Sequence, residues 1–206
     1  MTGRVTSVVL GTNADLIAEF ARLCIRPDDV VLDATFGRGG FWRKYHHPGP
    51  FIAHDLRLDG IDAAQLPEAD GSVDVALADP PHGAQGGRAT STIPDWLDRY
   101  GLDSATTRTP AGVADLYAAV MKELARASRR LVAVKCANLT TSGDKQWMHE
   151  HVIAIGRVLG LKRWDEILLV RRSPGPQPQR DRQTHTHNAH SFLCIFRVPP
   201  TTRRKP

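Results

Sequence analysis

Four short apolar runs, each stopped by a polar turn, constrain this chain most: Val30-Val31-Leu32, Phe51-Ile52-Ala53, Val73 to Ala78 and Leu131 to Val134. Runs so short and so nearly apolar throughout match strands buried on both faces. Helical repeats lie among them. Leu16, Ile17, Phe20, Leu23 and Cys24 recur at helical spacing behind Asn13, a capping residue type, and Pro27-Asp28-Asp29 breaks that helix. Leu116, Val120, Met121 and Leu124 place a second helix over 113–127. A third runs from Trp147 to Leu159, with Gly160 at its end. Strands alternating with helices predict an α/β fold with a parallel sheet covered on both faces.

The remaining segments extend this frame. Residues 5–10 read as a short leading strand. Ile167 to Val170 and Phe192 to Val198 read as two strands with no helix between them, so they predict an antiparallel hairpin across the Pro/Gln/Arg/His-rich loop 173–189. Residues 83–110 are rich in Gly, Thr, Ser and Pro, a stretch longer than a packed domain leaves without a role. Pro94 to Tyr100 reads as a short helix inside it. Residues 1–198 form one domain on this reading, and 199–206 a basic flexible tail.

Length and composition agree. The 206 residues, 41% hydrophobic and 24% charged, suit one domain with a full core. They exclude a disordered polyelectrolyte and a disulfide mini-protein. Cys24, Cys136 and Cys194 are far apart with no CxxC, which predicts reduced thiols and a cytoplasmic protein. No apolar run approaches the roughly 20 residues of a membrane span, and the start of the chain lacks a signal-peptide stretch. The net charge of +5 is localised. Residues 171–206 hold eight basic residues against Asp181, a net +7, and the first 170 residues carry −2. That segment suits a polyanionic partner, or is a solubilising tail.

In open sheets of this kind ligands bind beyond the carboxyl ends of the strands. Three polar elements fall there. The first is the turn Asp33-Ala-Thr-Phe-Gly-Arg-Gly-Gly40, whose glycines allow close approach to a ligand. The second is Asp55, where a carboxylate can accept both hydroxyls of a ribose or cap a helix. A nicotinamide enzyme would show the same two elements. The third is Asp79-Pro80-Pro81-His82. Two prolines stiffen the tetrapeptide and aim the Asp79 carboxylate and Pro80 carbonyl, both acceptors, at one point. Such a pair can bind the two N–H groups of an exocyclic amine, while a flat ring at 82 stacks on its base. Pulling on those hydrogens favours a more tetrahedral nitrogen with a directed lone pair.

In this order the three elements resemble the S-adenosylmethionine-dependent amino-methyltransferases, with their (D/N/S)PP(Y/F/W/H) signature. Small phage- and actinobacterial-type DNA methylases are the nearest in look, through His190 to Arg197 as well. The resemblance implies a Rossmann-like sheet of seven strands with the last antiparallel. It implies S-adenosylmethionine as cofactor, with Asp33, Thr35, Gly37 and Gly39 along its methionine part, Asp55 on its ribose and Asp62 near its adenine. It implies that Asp79, Pro80, Pro81 and His82 hold the target amine and its ring, with Gly83 beside them. His82 stands where Tyr, Phe or Trp is commoner, so base binding becomes pH-sensitive. Phosphate and substrate contacts are expected from Lys135, Arg171, Arg172, Arg180 and Arg182.

The predicted activity is methylation of an exocyclic amine of adenine or cytosine, with nucleic acid as partner and DNA ahead of RNA. The alternatives are an RNA base amine, a protein or small-molecule amine, and a catalytically silent nucleic-acid-binding relative. No cysteine follows the proline pair, so ring-carbon methylation through a thiolate is disfavoured. His185-Thr-His187-Asn-Ala-His190 has the look of a metal motif without a Cys or carboxylate cluster, and no metal is expected. Trp96, Tyr100 and Trp147 read as core aromatics or as platforms for a splayed base. Sequence readout is expected from 83–110, 138–146 and 172–190. The oligomeric state is open.

Overall fold

The computed structural model describes residues 4–81, 109–141, 144–171, 185, 186 and 188–200. In chain order these form β1 (Val8–Leu10), α1 (Asn13–Cys24), β2 (Val31–Asp33), a short 3-10 helix (Gly40–Lys44), β3 (Phe51–Ala53), β4 (Val73–Ala78), α2 (Pro110–Ala127), β5 (Ser128–Cys136), β6 (Leu139–Thr141), β7 (Asp144–Gln146), α3 (Met148–Val158), β8 (Lys162–Val170) and β9 (His190–Arg197). Seven strands make one sheet in the order β1-β8-β9-β5-β4-β2-β3. β9 is antiparallel to both neighbours, β5 and β8. The other sheet pairings are parallel. The expected sheet, with its last strand reversed, is the observed one.

The sheet divides the core in two because successive side chains alternate between faces. On one face Val75, Leu77, Leu131, Ala133, Leu193 and Ile195 pack against Leu16, Ile17 and Phe20 of α1. On the other, Ala76, Ala78, Val132, Val134 and Phe196 pack against Tyr117, Val120, Met121 and Leu124 of α2 and Val152 of α3. Each fully buried Leu, Val or Phe contributes about 1.5–3 kcal/mol. Gly156 of α3 lies so close to Phe196 that an added Cβ would stand 2.5 Å from its Cε1.

Several boundaries differ from expectation. Thr12, not Asn13, caps α1: its hydroxyl accepts from Asp15 N, and Thr12 N donates to Asp15 Oδ2 at 2.9 Å. Leu23 is 42% exposed and lies off the buried stripe of α1. α2 starts earlier, with Thr109 accepting from Gly112 N at 3.0 Å and Pro110 at its first turn. β8 reaches back to Lys162, because Lys162-Arg163-Trp164-Asp165-Glu166 pairs with β9 despite its charges. The segment 138–146, expected to serve sequence readout and not assigned a strand, carries the small hairpin β6–β7. Gly160 ends α3 as expected, with φ +73°.

Arg126 of α2 anchors the loop before β4. Its guanidinium donates to the Leu66 and Glu68 carbonyls at 2.9 and 2.6 Å and pairs with Asp70 and Glu123. Glu68 is thereby fixed beside the end of β3. Among the described residues, no helix is long and apolar enough to cross a membrane.

Candidate active site

The parallel register brings the ends of β2, β3, β4 and β5 together. Asp33 is opposite Ala53 on one side and Leu77 on the other, and Ala78 is opposite Val134. Beyond these pairs the loops cross-link. His54 N donates to Asp33 O, Phe36 N to His54 O, and Ala34 N to Leu77 O, at 2.9, 2.9 and 3.0 Å.

Asp33 is buried and both carboxylate oxygens are used. Oδ1 accepts from Thr35 N at 2.9 Å, and Oδ2 from Trp42 Nε1 at 2.6 Å. Burial pushes its carboxyl up to about 6, against the opposing pull of the Trp42 and Thr35 bonds. The Asp33 carboxylate holds the turn from inside. Thr35 Oγ1 faces the other way and accepts the Asp79 N–H at 2.8 Å.

The two turn glycines do different work. Gly37 has φ +56°, and a Cβ there would find only Asp55 Oδ2 and Thr35 O, each at 3.9 Å. Gly39, at φ +69°, would drive a Cβ to 2.8 Å from Phe36 Cζ. Gly37 thus opens a small cradle bounded by Asp55, while Gly39 is needed for packing.

Asp55 takes the capping role. Its Oδ1 caps the following turn, accepting from Arg57 N and Leu58 N at 3.1 and 3.2 Å, and Oδ2 borders the Gly37 cradle. The adjacent His54 is clamped by Asp59 and Glu68, each at 2.8 Å. Burial opposes its charge, but the bonds to these two carboxylates outweigh burial and raise its pKa above the ordinary histidine value. Asp62 Oδ1 accepts from Ala64 N at 2.9 Å and shapes the turn that follows.

At the end of β4, the Asp79 carboxylate meets the Lys135 ammonium, with Nζ 3.1 Å from Oδ1 and 3.2 Å from Oδ2. Lys135 is 2% exposed, and its Nζ lies 5.7 Å from the centroid of the Phe41 ring. The Lys135 side chain lies on the α1 side of the sheet and pairs with Asp79 out of solvent. Pro80 O lies 3.2 Å from the Tyr117 hydroxyl, which is also 3.1 Å from Lys135 O. Burial pushes the Tyr117 hydroxyl well above its usual pKa, so it stays a neutral donor shared by two carbonyls.

Pro81 follows at the limit of the described residues; His82, Gly83, Arg172, Arg180 and Arg182 lie outside them, as do Trp96, Tyr100 and the helix read over Pro94–Tyr100. Arg171 is exposed at the end of β8, its N–H donating to Ala189 O at 3.0 Å. Trp147 is 51% exposed at the start of α3.

Tyr117, Trp42, His54 and Glu68 were absent from the sequence-derived site. Tyr117 and Lys135 had a readable signal: each puts a polar end into an otherwise apolar stripe, where burial demands a partner. The three cysteines are free and buried. Away from the His185–His190 segment, His149, Glu166 and Cys194 gather their ligating atoms within 4.8 Å. Glu166 Oε2 there already accepts from His149, and Arg163 Nη2 lies 3.4 Å away.

No protein-family profile matches the sequence, and no curated protein matches it. Solved structures do resemble it in fold. A candidate methyltransferase from Bacillus halodurans C-125 superposes with a TM-score of 0.57 at 11% identity, covering 90% of this chain and 99% of that one. A candidate RNA methyltransferase from Pyrococcus horikoshii gives 0.51 at 12% identity, covering 90% and 83%. The chain has the Rossmann-like α/β fold of these proteins.

Proposed function

We propose that this protein transfers a methyl group from S-adenosylmethionine to an exocyclic amino group of a nucleobase, adenine or cytosine, in DNA ahead of RNA. One observation carries the reading. Two successive acceptors at the end of β4 are each held: the Asp79 carboxylate by Lys135, with the Asp79 N–H on Thr35, and the Pro80 carbonyl by Tyr117, beyond the turn that carries Gly37.

The residues present fit the cofactor, since the cradle beside Gly37 is open and bordered by a carboxylate suited to a ribose. Thr35, Gly37 and Gly39 would line its methionine part, with Asp33 stiffening the turn. Asp55 would hold the ribose, and Asp62 would lie toward the adenine. When bound, the cofactor supplies an electrophilic methyl group on a positively charged sulfur.

The chain's own part is to hold the amine. Asp79 and Pro80 accept its two N–H bonds and draw the nitrogen toward a tetrahedral shape, an orienting and electrostatic contribution. Pro81 keeps the pair rigid, and His82 would stack on the base with Gly83 beside it. A base in duplex DNA must be flipped out to reach such a recess, which costs a few kcal/mol. Arg171, Arg172, Arg180 and Arg182 would offset that through phosphate contacts, with strong salt dependence.

Mass spectrometry of nucleosides from host DNA and RNA, with and without expression of the protein, tests the reading. A new N-methylated adenine or cytosine in DNA is expected. The same mark confined to RNA would move the substrate to RNA. No new methylated nucleoside, or calorimetry without S-adenosylmethionine binding, would refute the proposal.

A further inference from the structure

We propose that His149, Glu166 and Cys194 form a binding site for a divalent cation of the zinc class, which pins the start of α3 to the β8–β9 pair. None of the three has a place in the proposed methyl transfer.

Three elements bring the ligating atoms together. Glu166 is directly opposite Cys194 across the antiparallel β8–β9 pairing, so both side chains leave the sheet on one face. His149 lies in the first turn of α3, which packs over that face through Val152. One ligating atom from each residue lies within 4.8 Å of the other two. Cys194 Sγ is 3.9 Å from Glu166 Oε2, and the same oxygen accepts from His149 Nε2. Around one zinc ion, with bonds of about 2.0–2.3 Å to nitrogen, oxygen and sulfur, neighbouring ligand atoms of a tetrahedron stand about 3.3–3.8 Å apart. The sulfur and the carboxylate oxygen are already near that spacing.

The ligands are also held in place. The His149 ring stacks on Phe192, with centroids 4.2 Å apart and planes at 22°. Its backbone N–H donates to Asn138 Oδ1 at 3.0 Å. Arg163 Nη2 lies 3.4 Å from Glu166 Oε2, and Cys136 Sγ lies 4.0 Å from Cys194 Sγ. A thiol at that distance is a weak donor to a neighbouring thiolate. Outer partners of this kind orient metal ligands and tune them.

The donor set chooses the ion. One imidazole nitrogen, one carboxylate oxygen and one sulfur suit zinc and its neighbours, whereas magnesium and calcium take oxygen ligands. Cys194 is 1% exposed, but the His149 and Glu166 side chains are 20% and 21% exposed. The ion therefore enters from the His149–Glu166 side, where water completes four-fold coordination. An ion pair of His149 with Glu166 alone has no use for the sulfur beside it. In the metal-free chain a proton joins His149 to Glu166. The cation takes that proton's place, and the thiol proton of Cys194 goes to solvent.

The test uses the purified full chain, kept reduced with a phosphine, and the chlorides of cobalt(II) and zinc(II), with no cofactor or nucleic acid present. Wild type is expected to bind a single equivalent of cobalt(II), with a thiolate-to-metal charge-transfer band, and to release it to zinc(II). Cys194→Ser should lose that band. His149→Gln and Glu166→Gln should each weaken zinc binding about a hundredfold or more, since losing even an outer partner costs roughly 10–100-fold. Cys24→Ser removes the buried thiol on the α1 side of the sheet and should leave the band unchanged.

If Cys194→Ser does not fold, the partly exposed His149→Gln and Glu166→Gln carry the test. No charge-transfer band in wild type, a band that survives Cys194→Ser, or zinc affinity unchanged in both His149→Gln and Glu166→Gln would overturn the inference. Each of these results leaves the methyl-transfer reading standing, because neither cofactor nor substrate enters the measurement.

Discussion

Thr35 Oγ1 accepts the backbone N–H of Asp79 at 2.8 Å, which ties the loop after β2 to the loop after β4. The bond spans two halves of one proposed site: the turn that would hold the cofactor and the tetrapeptide that would hold the amine. Thr35→Val keeps the shape and removes the acceptor. An unpaired, largely buried N–H costs about 1–3 kcal/mol. Urea denaturation should show a loss of that size, and methyl transfer should fall.

Asp79→Ala should abolish transfer and spare cofactor binding, because Asp79 is the proposed amine acceptor. Gly37→Val should act in the opposite order. A β-branched residue at φ +56° is strained, and its side chain would enter the cradle beside Asp55. Calorimetry with S-adenosylmethionine should show near-normal affinity for the first variant and little or none for the second. Near-normal turnover by Asp79→Ala would refute the assigned amine site.

Gly156→Ala tests the packing of α3 on the sheet, away from the site. The new methyl group would meet the Phe196 ring at 2.5 Å, and overpacking of this kind costs about 1–3 kcal/mol. The midpoint of chemical denaturation should drop accordingly, while kcat of the folded fraction stays near wild type. An unchanged midpoint would mean that Phe196 yields without cost.

His149 gives a pH signature in stability. The Cys194 sulfur and the Glu166 carboxylate raise its pKa to about 9, against burial, which lowers it. A histidine whose folded pKa is raised stabilises the fold fully below its unfolded value near 6.5, and that contribution is lost as pH rises toward about 9. Stability measured by urea denaturation should therefore decline across that window in wild type. His149→Gln should flatten that decline; an unchanged slope would assign it to other groups.

Much of this was legible along the chain. Val75 and Leu77 on one face and Ala76 and Ala78 on the other are what a strand buried on both faces predicts from its apolar run. The reversal of β9 followed from the missing helix between the last two strands. Lys162 to Glu166 did not read as strand, because their charges hide a backbone that pairs with β9 all the same. The β6–β7 hairpin, with polar Asp144, Lys145 and Gln146, was hidden for the same reason.

The sequence by itself determined the order of strands and helices, the two turn glycines, and an Asp-Pro-Pro-His element placed at the end of a buried strand. These depend on local chemistry: apolar periods, proline stiffness and the positive φ that glycine permits. Only the tertiary structure decided what the polar groups do with one another. Lys135 lies 56 positions from Asp79 and Tyr117 lies 37 from Pro80; parallel pairing of β4 with β5 brings the first pair within hydrogen-bonding range, and the packing of α2 on the sheet brings the second. Burial then makes each partnership obligatory, since a charge or hydroxyl removed from water must be matched where the fold has put it.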